Sequence, residues 1–104
     1  MKPIILRPQA RADLRAEIVY YRKHAGKPIA NQLVGAADDT LRHLQQNPGA
    51  GSPRIGQMLD IPGLRRWSVS GFPLSGFYFE REDCLDVVRL LGERQDILSI
   101  LNAN

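Results

Sequence analysis

Four arginines are the residues of this chain best suited to chemistry: Arg65, Arg66, Arg89 and Arg94. A guanidinium group stays charged and offers a planar fork of donors, which fits phosphate and carboxylate groups. Arg65 and Arg66 open the stretch 64–79, whose other residues are mostly apolar or small. Arg89 lies inside the apolar run 84–91, and Arg94 follows it between Glu93 and Asp96. An arginine inside an apolar strand is costly to desolvate unless it is paired. Two readings follow. One is a structural ion pair, for instance Arg89 with Glu17, Asp86 or Asp96. In the other, two or three arginines converge on one sheet edge to bind an anion.

Other chemistries find little support. His24 and His43 stand 19 positions apart on different predicted helices, with no His, Cys or Asp at ligand spacing, so no metal site is expected. Asp38 and Asp39 are adjacent, and neighbouring helical residues diverge by about 100°, so they read as a solvated face. Ser68, Ser70 and Ser75 have no base placed beside them by sequence. Cys84 is the single cysteine, which excludes an internal disulfide and suits a reducing cytosol. The Gly/Pro-rich segment 49–57 has no Gly-Lys-Ser/Thr and is not a phosphate-binding P-loop. No cofactor is implied.

The elements that must position these residues follow from periodicity. Lys2–Leu6 reads as a strand ended by Pro8. Ala10, Leu14, Ile18 and Tyr21 recur at helical spacing through about Ala25, and Gly26 with Pro28 ends that helix. A second helix to Gln46 carries the apolar stripe Ala30, Leu33, Val34, Ala37, Leu41 and Leu44, stopped by Asn47-Pro48-Gly49. Segment 49–57 reads as a connector. Strands are predicted at Leu64–Ser70, Leu74–Glu80 and Cys84–Leu91, and a short helix at Asp96–Asn104. Alternation puts Leu64, Arg66 and Ser68 on one face of the second strand and Arg65, Trp67 and Val69 on the other; on the third, Ser75, Phe77 and Phe79 share one face and Leu74, Gly76 and Tyr78 the opposite one, and Trp67, Val69, Phe77 and Phe79 are expected to form one apolar side. On the last strand, Leu85, Val87, Arg89 and Leu91 alternate with Asp86, Val88 and Leu90. The expected architecture is α+β: β-α-α-β-β-β, a twisted antiparallel sheet packed on a helical hairpin, with a short C-terminal helix. The helices would bury one sheet face, and the other must be partly covered, because Leu64, Leu74 and Tyr78 would otherwise form an exposed apolar patch there.

The 104 residues suffice for one domain, 1–104, with a single core. Net charge is +3. Residues 1–50 hold eight Lys/Arg against four acids, and residues 51–104 hold six arginines against seven acids. So small a surplus suits solubility better than a duplex-binding face. Before Arg7 the apolar run is three residues, too short for a signal peptide or a membrane span, and a cytoplasmic location is expected.

Taken together, several short motifs resemble the ParE/RelE superfamily of toxins from type II toxin–antitoxin systems. They are Arg11-Ala12-Asp13-Leu14 with Ile18 and Tyr21, Asn47-Pro48-Gly49 after the second helix, Pro62-Gly63-Leu64-Arg65, Phe77-Tyr78, and Val88-Arg89-Leu90-Leu91 with Arg94 and Asp96 behind it. The resemblance implies a compact toxin neutralised in a hetero-oligomer by a small antitoxin whose C-terminal segment wraps it. The antitoxin would meet Leu14, Ile18, Tyr21, Leu64, Trp67 and Tyr78, and the target would meet Arg65, Arg66, Arg89 and Arg94. RelE-like members cut messenger RNA in the ribosome with basic residues and a C-terminal tyrosine. ParE-like members poison DNA gyrase without nuclease chemistry. Arg66 and Arg94 fall at basic positions of the nuclease branch and would be its catalytic residues. Ser68 and Ser75, however, stand where that branch has further basic residues, and Leu98 where it has the tyrosine. RNA cleavage needs a group to activate the 2′-hydroxyl and cations to stabilise the phosphorane. The ParE-like, gyrase-directed branch is therefore favoured, with a ribosome-dependent nuclease or a toxin fold without toxicity as alternatives. Gly92 and Gln95 depart from the common ParE-like ending, which has a histidine and an arginine there.

Overall fold

The computed structural model describes residues 1–103. Its elements are β1 (Ile4–Leu6), α1 (Pro8–Ala25), α2 (Lys27–Gln46), a 3-10 turn (Pro48–Ala50), α3 (Arg54–Met58), β2 (Leu64–Ser68), β3 (Leu74–Glu80), β4 (Leu85–Gly92) and α4 (Ile97–Asn102). The α+β order β-α-α-β-β-β with a short terminal helix is as expected. Of the predicted helix 96–104, Asn104 lies outside the described residues.

Pro8 starts α1, where its missing N–H is no loss. Gly26 alone joins the helices, at φ 92°, a conformation that side chains with a Cβ rarely adopt. With so short a link, α2 folds back on α1 as a hairpin. Ala30, Leu33, Ala37 and Leu44 bury the inner side of α2, whereas Val34, expected in that stripe, is 46% exposed.

The sheet order is β1-β4-β3-β2. β2, β3 and β4 are antiparallel neighbours, but β1 runs parallel to β4 with Ile4 opposite Leu85. The sheet is thus mixed at one edge, because the α1–α2 hairpin and the β2–β3 ribbon intervene between β1 and β4. Alternation on β4 also departs from simple reading. The register slips at Phe77/Tyr78, where Phe77 faces Arg89 and Tyr78 faces Val87. Val88 is the extra residue, and such a bulge flips the parity beyond it. Leu85, Val87 and Leu90 consequently share one core cluster with Ala10, Leu44 and Tyr78. Val88 and Leu91 join Leu64, Phe77, Ile55 and Leu101 in another.

Both sheet faces are covered. Leu74 and Tyr78, expected with Leu64 on the face away from the helices, instead lie under the helical hairpin, while α3, α4 and the turn at 59–61 cover Leu64 on the other face. The segment 49–57 is more than a connector. The Tyr78 hydroxyl donates to the Pro48 carbonyl at 2.7 Å and accepts from the Gly51 N–H at 2.9 Å. A Cβ on Gly51 would fall 2.5 Å from that hydroxyl, so the turn closes only over glycine. Ser52 then pairs with Arg66 along the outer edge of β2.

Candidate functional site

β1 ends at Leu6, opposite Val87, so beyond that point the edge of β4 turned away from β3 has no strand beside it. Helix α1 takes that place. Asp13 accepts the Leu90 N–H at 3.0 Å and both forks of Arg89, Nε at 2.8 Å and Nη2 at 3.0 Å. The Gln9 side chain accepts from Arg89 Nη1 at 3.3 Å. Arg89 is therefore ion-paired, as one reading held, but to Asp13 and not to Glu17, Asp86 or Asp96. One turn further along α1, Glu17 accepts from Arg94 Nη1 at 2.9 Å. Glu17 is buried, and its Oε1 has no hydrogen-bond partner. A Cβ on Gly92 would lie 2.5 Å from that oxygen, so glycine there leaves room for the carboxylate. The Arg94 guanidinium sits 3.7 Å from the centre of the half-exposed Tyr20 ring. Burial and the Glu17 charge push the neighbouring Tyr21 hydroxyl upward.

Asp13 is not among the partners expected for Arg89, and Glu17, expected for Arg89, pairs with Arg94 instead. Their signal was present: acids four apart on a helix share one face and can receive two cations in succession.

The other pair behaves differently. Arg65 donates to the backbone carbonyls of Gly51 at 2.6 Å and Gly49 at 3.3 Å, fastening the 3-10 turn to β2. Arg66 lies on the opposite face. Its Nε donates to the Ser75 hydroxyl at 3.1 Å, and its guanidinium lies 5.6 Å from the Phe77 ring centre. The four arginines thus do not converge. Arg66 and Arg94, the two positions of a cleavage reading, contact different sheet faces. Leu98 is 44% exposed and supplies no titrating group.

Among the residues expected to meet a partner, Leu14, Ile18, Tyr21 and Trp67 are half-buried, packed against the core clusters. Leu64 and Tyr78 lie in the interior and offer no surface, because α3 and the helical hairpin close over them. Trp67 fills the space left by Gly76 and meets Tyr78 edge-on at 5.8 Å. A groove of about 280 Å³ runs between the start of α1 and the far sheet face, lined by Arg7, Gln9, Ile61, Phe79, Val88 and Leu101 among others. Among the described residues no three His, Cys, Asp or Glu side chains gather as a metal site, and no helix is long and apolar enough to cross a membrane.

Comparison with known proteins agrees with this geometry. A family model described as "ParE toxin of type II toxin-antitoxin system, parDE" matches residues 4–97. The chain belongs to the ParE toxin family. Its fold is similar to a solved chain from the "Chromosomal ParDE TA system from P. aeruginosa", with a TM-score of 0.75 and 26% identity over 88% of this chain and 96% of that one. No curated protein matches it. The ParE match takes in β1 through the first residue of α4, so it includes both the α1 carboxylates and all four arginines.

Proposed function

We propose that this ParE-family protein is the toxin of a type II toxin–antitoxin module, that it acts on DNA gyrase by binding, and that a cognate antitoxin neutralises it in a hetero-oligomer. The observation that carries the choice of branch is the surroundings of Arg66. Its neighbours are Ser75, Phe77, Ser52, Arg54, Ile55 and Met58, among which there is no carboxylate, histidine, cysteine, tyrosine or lysine. A ribonuclease must move a proton off a 2′-hydroxyl, and hydroxyls and guanidinium groups are poor bases for that step. Arg94, the second cation of a cleavage site, is bound to Glu17 beside the other face.

The antitoxin segment is assigned to the half-buried apolar residues Leu14, Ile18, Tyr21 and Trp67, with Leu64 and Tyr78 supporting them from inside. The target contacts are assigned to the arginines, Arg66 first, because among the described residues its Nη groups have no protein acceptor.

The test is gyrase-mediated DNA cleavage with the purified chain. Linear DNA trapped on gyrase is the expected product, and its absence where a known poison yields it removes the gyrase assignment. Codon-positioned breaks in translated message would move the chain to the nuclease branch. Harmless induction without antitoxin would make it a toxin fold without toxicity.

A further inference from the structure

The groove between the start of α1 and the sheet face turned away from the helical hairpin has a volume of about 280 Å³. Its floor is apolar: Ile61, Leu64, Phe79, Val88 and Leu101 come from the turn at 59–61, three strands and α4. Arg7, Gln9 and Arg89 supply the polar part of its wall, and no acid lines it. Small-ligand pockets usually measure roughly 300–1,000 Å³, are mostly apolar and carry a few polar groups that orient the ligand. This groove has that make-up at the smallest size.

The polar groups are not equivalent. Arg89 is already engaged: Nε and Nη2 donate to Asp13, and Nη1 donates to Gln9. Arg7 uses only one side of its fork, with Nε and Nη2 on Asp86 at 3.0 and 2.9 Å. The same carboxylate receives Nε and Nη2 of Arg81, whose guanidinium lies 4.3 Å from the centre of the Phe79 ring in the groove floor. Two cations thus share one carboxylate beside the groove. Among the described residues Arg7 Nη1 has no protein acceptor. Nor has the Gln9 amide nitrogen, because the amide oxygen is turned to Arg89. A guanidinium fixed by its other two nitrogens loses little freedom when a ligand arrives.

We propose that this groove binds a small amphipathic carboxylic acid, with its apolar tail on Leu64, Phe79 and Val88 and its carboxylate on Arg7 Nη1 and the Gln9 amide. The one guanidinium charge left over at Asp86 matches a monoanion. A carboxylate accepts a charge-assisted bond from Arg7, and the tail removes apolar floor from water. A sugar or a peptide backbone would instead bring polar groups onto a floor whose side chains offer them no partner. The groove lies away from the half-buried residues assigned to the antitoxin, and its occupation does not depend on the gyrase assignment.

The experiment is isothermal titration calorimetry of the purified full chain with octanoate, octanol, octylammonium and acetate, each kept below the concentration at which it aggregates. Octanoate should bind one to one. Octanol and acetate should bind about tenfold more weakly, the worth of one charge-assisted bond or more, and octylammonium more weakly than octanol. Arg7→Gln should bring octanoate down about tenfold, to the level of octanol, and leave octanol unchanged, a split that general loss of structure would not produce. Val88→Phe narrows the groove and should weaken octanoate and octanol alike. Arg22→Gln on the exposed side of α1 should change nothing. Octanoate should also raise the thermal midpoint of the wild type, as a ligand of the folded state does. Octanol or octylammonium binding as tightly as octanoate overturns the proposal and leaves the groove an apolar surface only. So does an unchanged octanoate affinity in the Arg7→Gln/Val88→Phe double variant, or the absence of saturable octanoate binding to the wild type. The head-group series needs only the wild type, so it decides the matter even if Arg7→Gln folds poorly. Because gyrase is absent from the assay, a chain inert towards gyrase can still pass, and a gyrase poison can still fail.

Discussion

Beside α1, Arg89 and Arg94 end on carboxylates, Asp13 and Glu17. Across the sheet, Arg66 ends on the Ser75 hydroxyl, and among the described residues Arg54 pairs with no acid. Residues of one type thus do two kinds of work. Where β1 stops short, β4 has backbone donors and an arginine that need an acceptor, and a carboxylate on the packed helix answers both. That charge is neutralised and belongs to the fold. On the far face the backbone of β2 is already paired with Ser52, so Arg66 has no structural debt to a carboxylate and keeps its charge for something else.

The largest expected effect tests the first half of that contrast. Asp13→Ala removes the acceptor of the Leu90 N–H and strands a mostly buried Arg89, so unfolding free energy should fall by about 3–5 kcal/mol. Urea denaturation measures it. An Asp13→Leu/Arg89→Met double variant should recover much of the loss, since two apolar groups replace a pair whose desolvation nearly cancels its attraction. A double variant as unstable as the single would mean that the pair is not what secures α1 to β4.

Arg94→Ala comes next. It leaves Glu17 a buried carboxylate without its partner, beside an Oε1 that already has none. A loss of roughly 1–3 kcal/mol is expected, since a charged group has been left unpaired in the interior. Adding Glu17→Gln should return part of it, because a neutral amide is cheaper to bury. Additive losses in the two variants would break the parallel drawn between Arg94 and Arg89.

Much of this fold could be read from the chain. The stripe of α2, the Pro8 start of α1 and the bounds of β3 are local signals, and local signals survive in sequence. The cover of the far face was not legible, because α3 has only five residues and depends on contacts from far away. Tyr78 illustrates the point: its hydroxyl fixes the turn at Pro48 and Gly51 from 27 or more residues downstream. The bulge at Val88 was equally hidden, since alternation over one strand cannot reveal what its neighbour does. At the candidate site, the identity of the arginines was readable but their partners were not. Asp13 was a helix-start acid in sequence; only the shortness of β1 makes it the acceptor for Arg89.

A third carboxylate extends the comparison to pH. Asp86 receives Arg7 and Arg81 at the outer edge of the sheet. The hydrogen bond from Arg7 is the main influence holding its carboxyl below the ordinary 3.8, against the upward push of burial. An acid lowered on folding binds more protons when unfolded. Its stabilisation is complete above the unfolded value and disappears as pH falls through the folded one. Because both arginines are nearly half exposed, solvent reduces the gain. Asp86→Asn should therefore lose about 1 kcal/mol at neutral pH, with the gap to wild type closing as pH falls below the ordinary carboxylate range. A gap that stays constant with pH would assign the loss to packing.

The smallest effect should be at Arg66, and its smallness is what gives the contrast its meaning. Arg66→Gln removes one hydrogen bond to Ser75, whose hydroxyl can turn to another acceptor or take a donor from the new amide. The expected change is about 1 kcal/mol or less, the net worth of a neutral hydrogen bond. If Arg66 were a structural tie like Arg89, its removal would destabilise the chain as much as Asp13→Ala does. A midpoint within a few degrees of wild type, roughly what 1 kcal/mol produces in a domain this size, would instead show that the fold does not need the charge. Thermal denaturation of Asp13→Ala and Arg66→Gln under one set of conditions decides it. The ranking of those two variants, more than either value, separates an arginine that builds the protein from one that the protein presents.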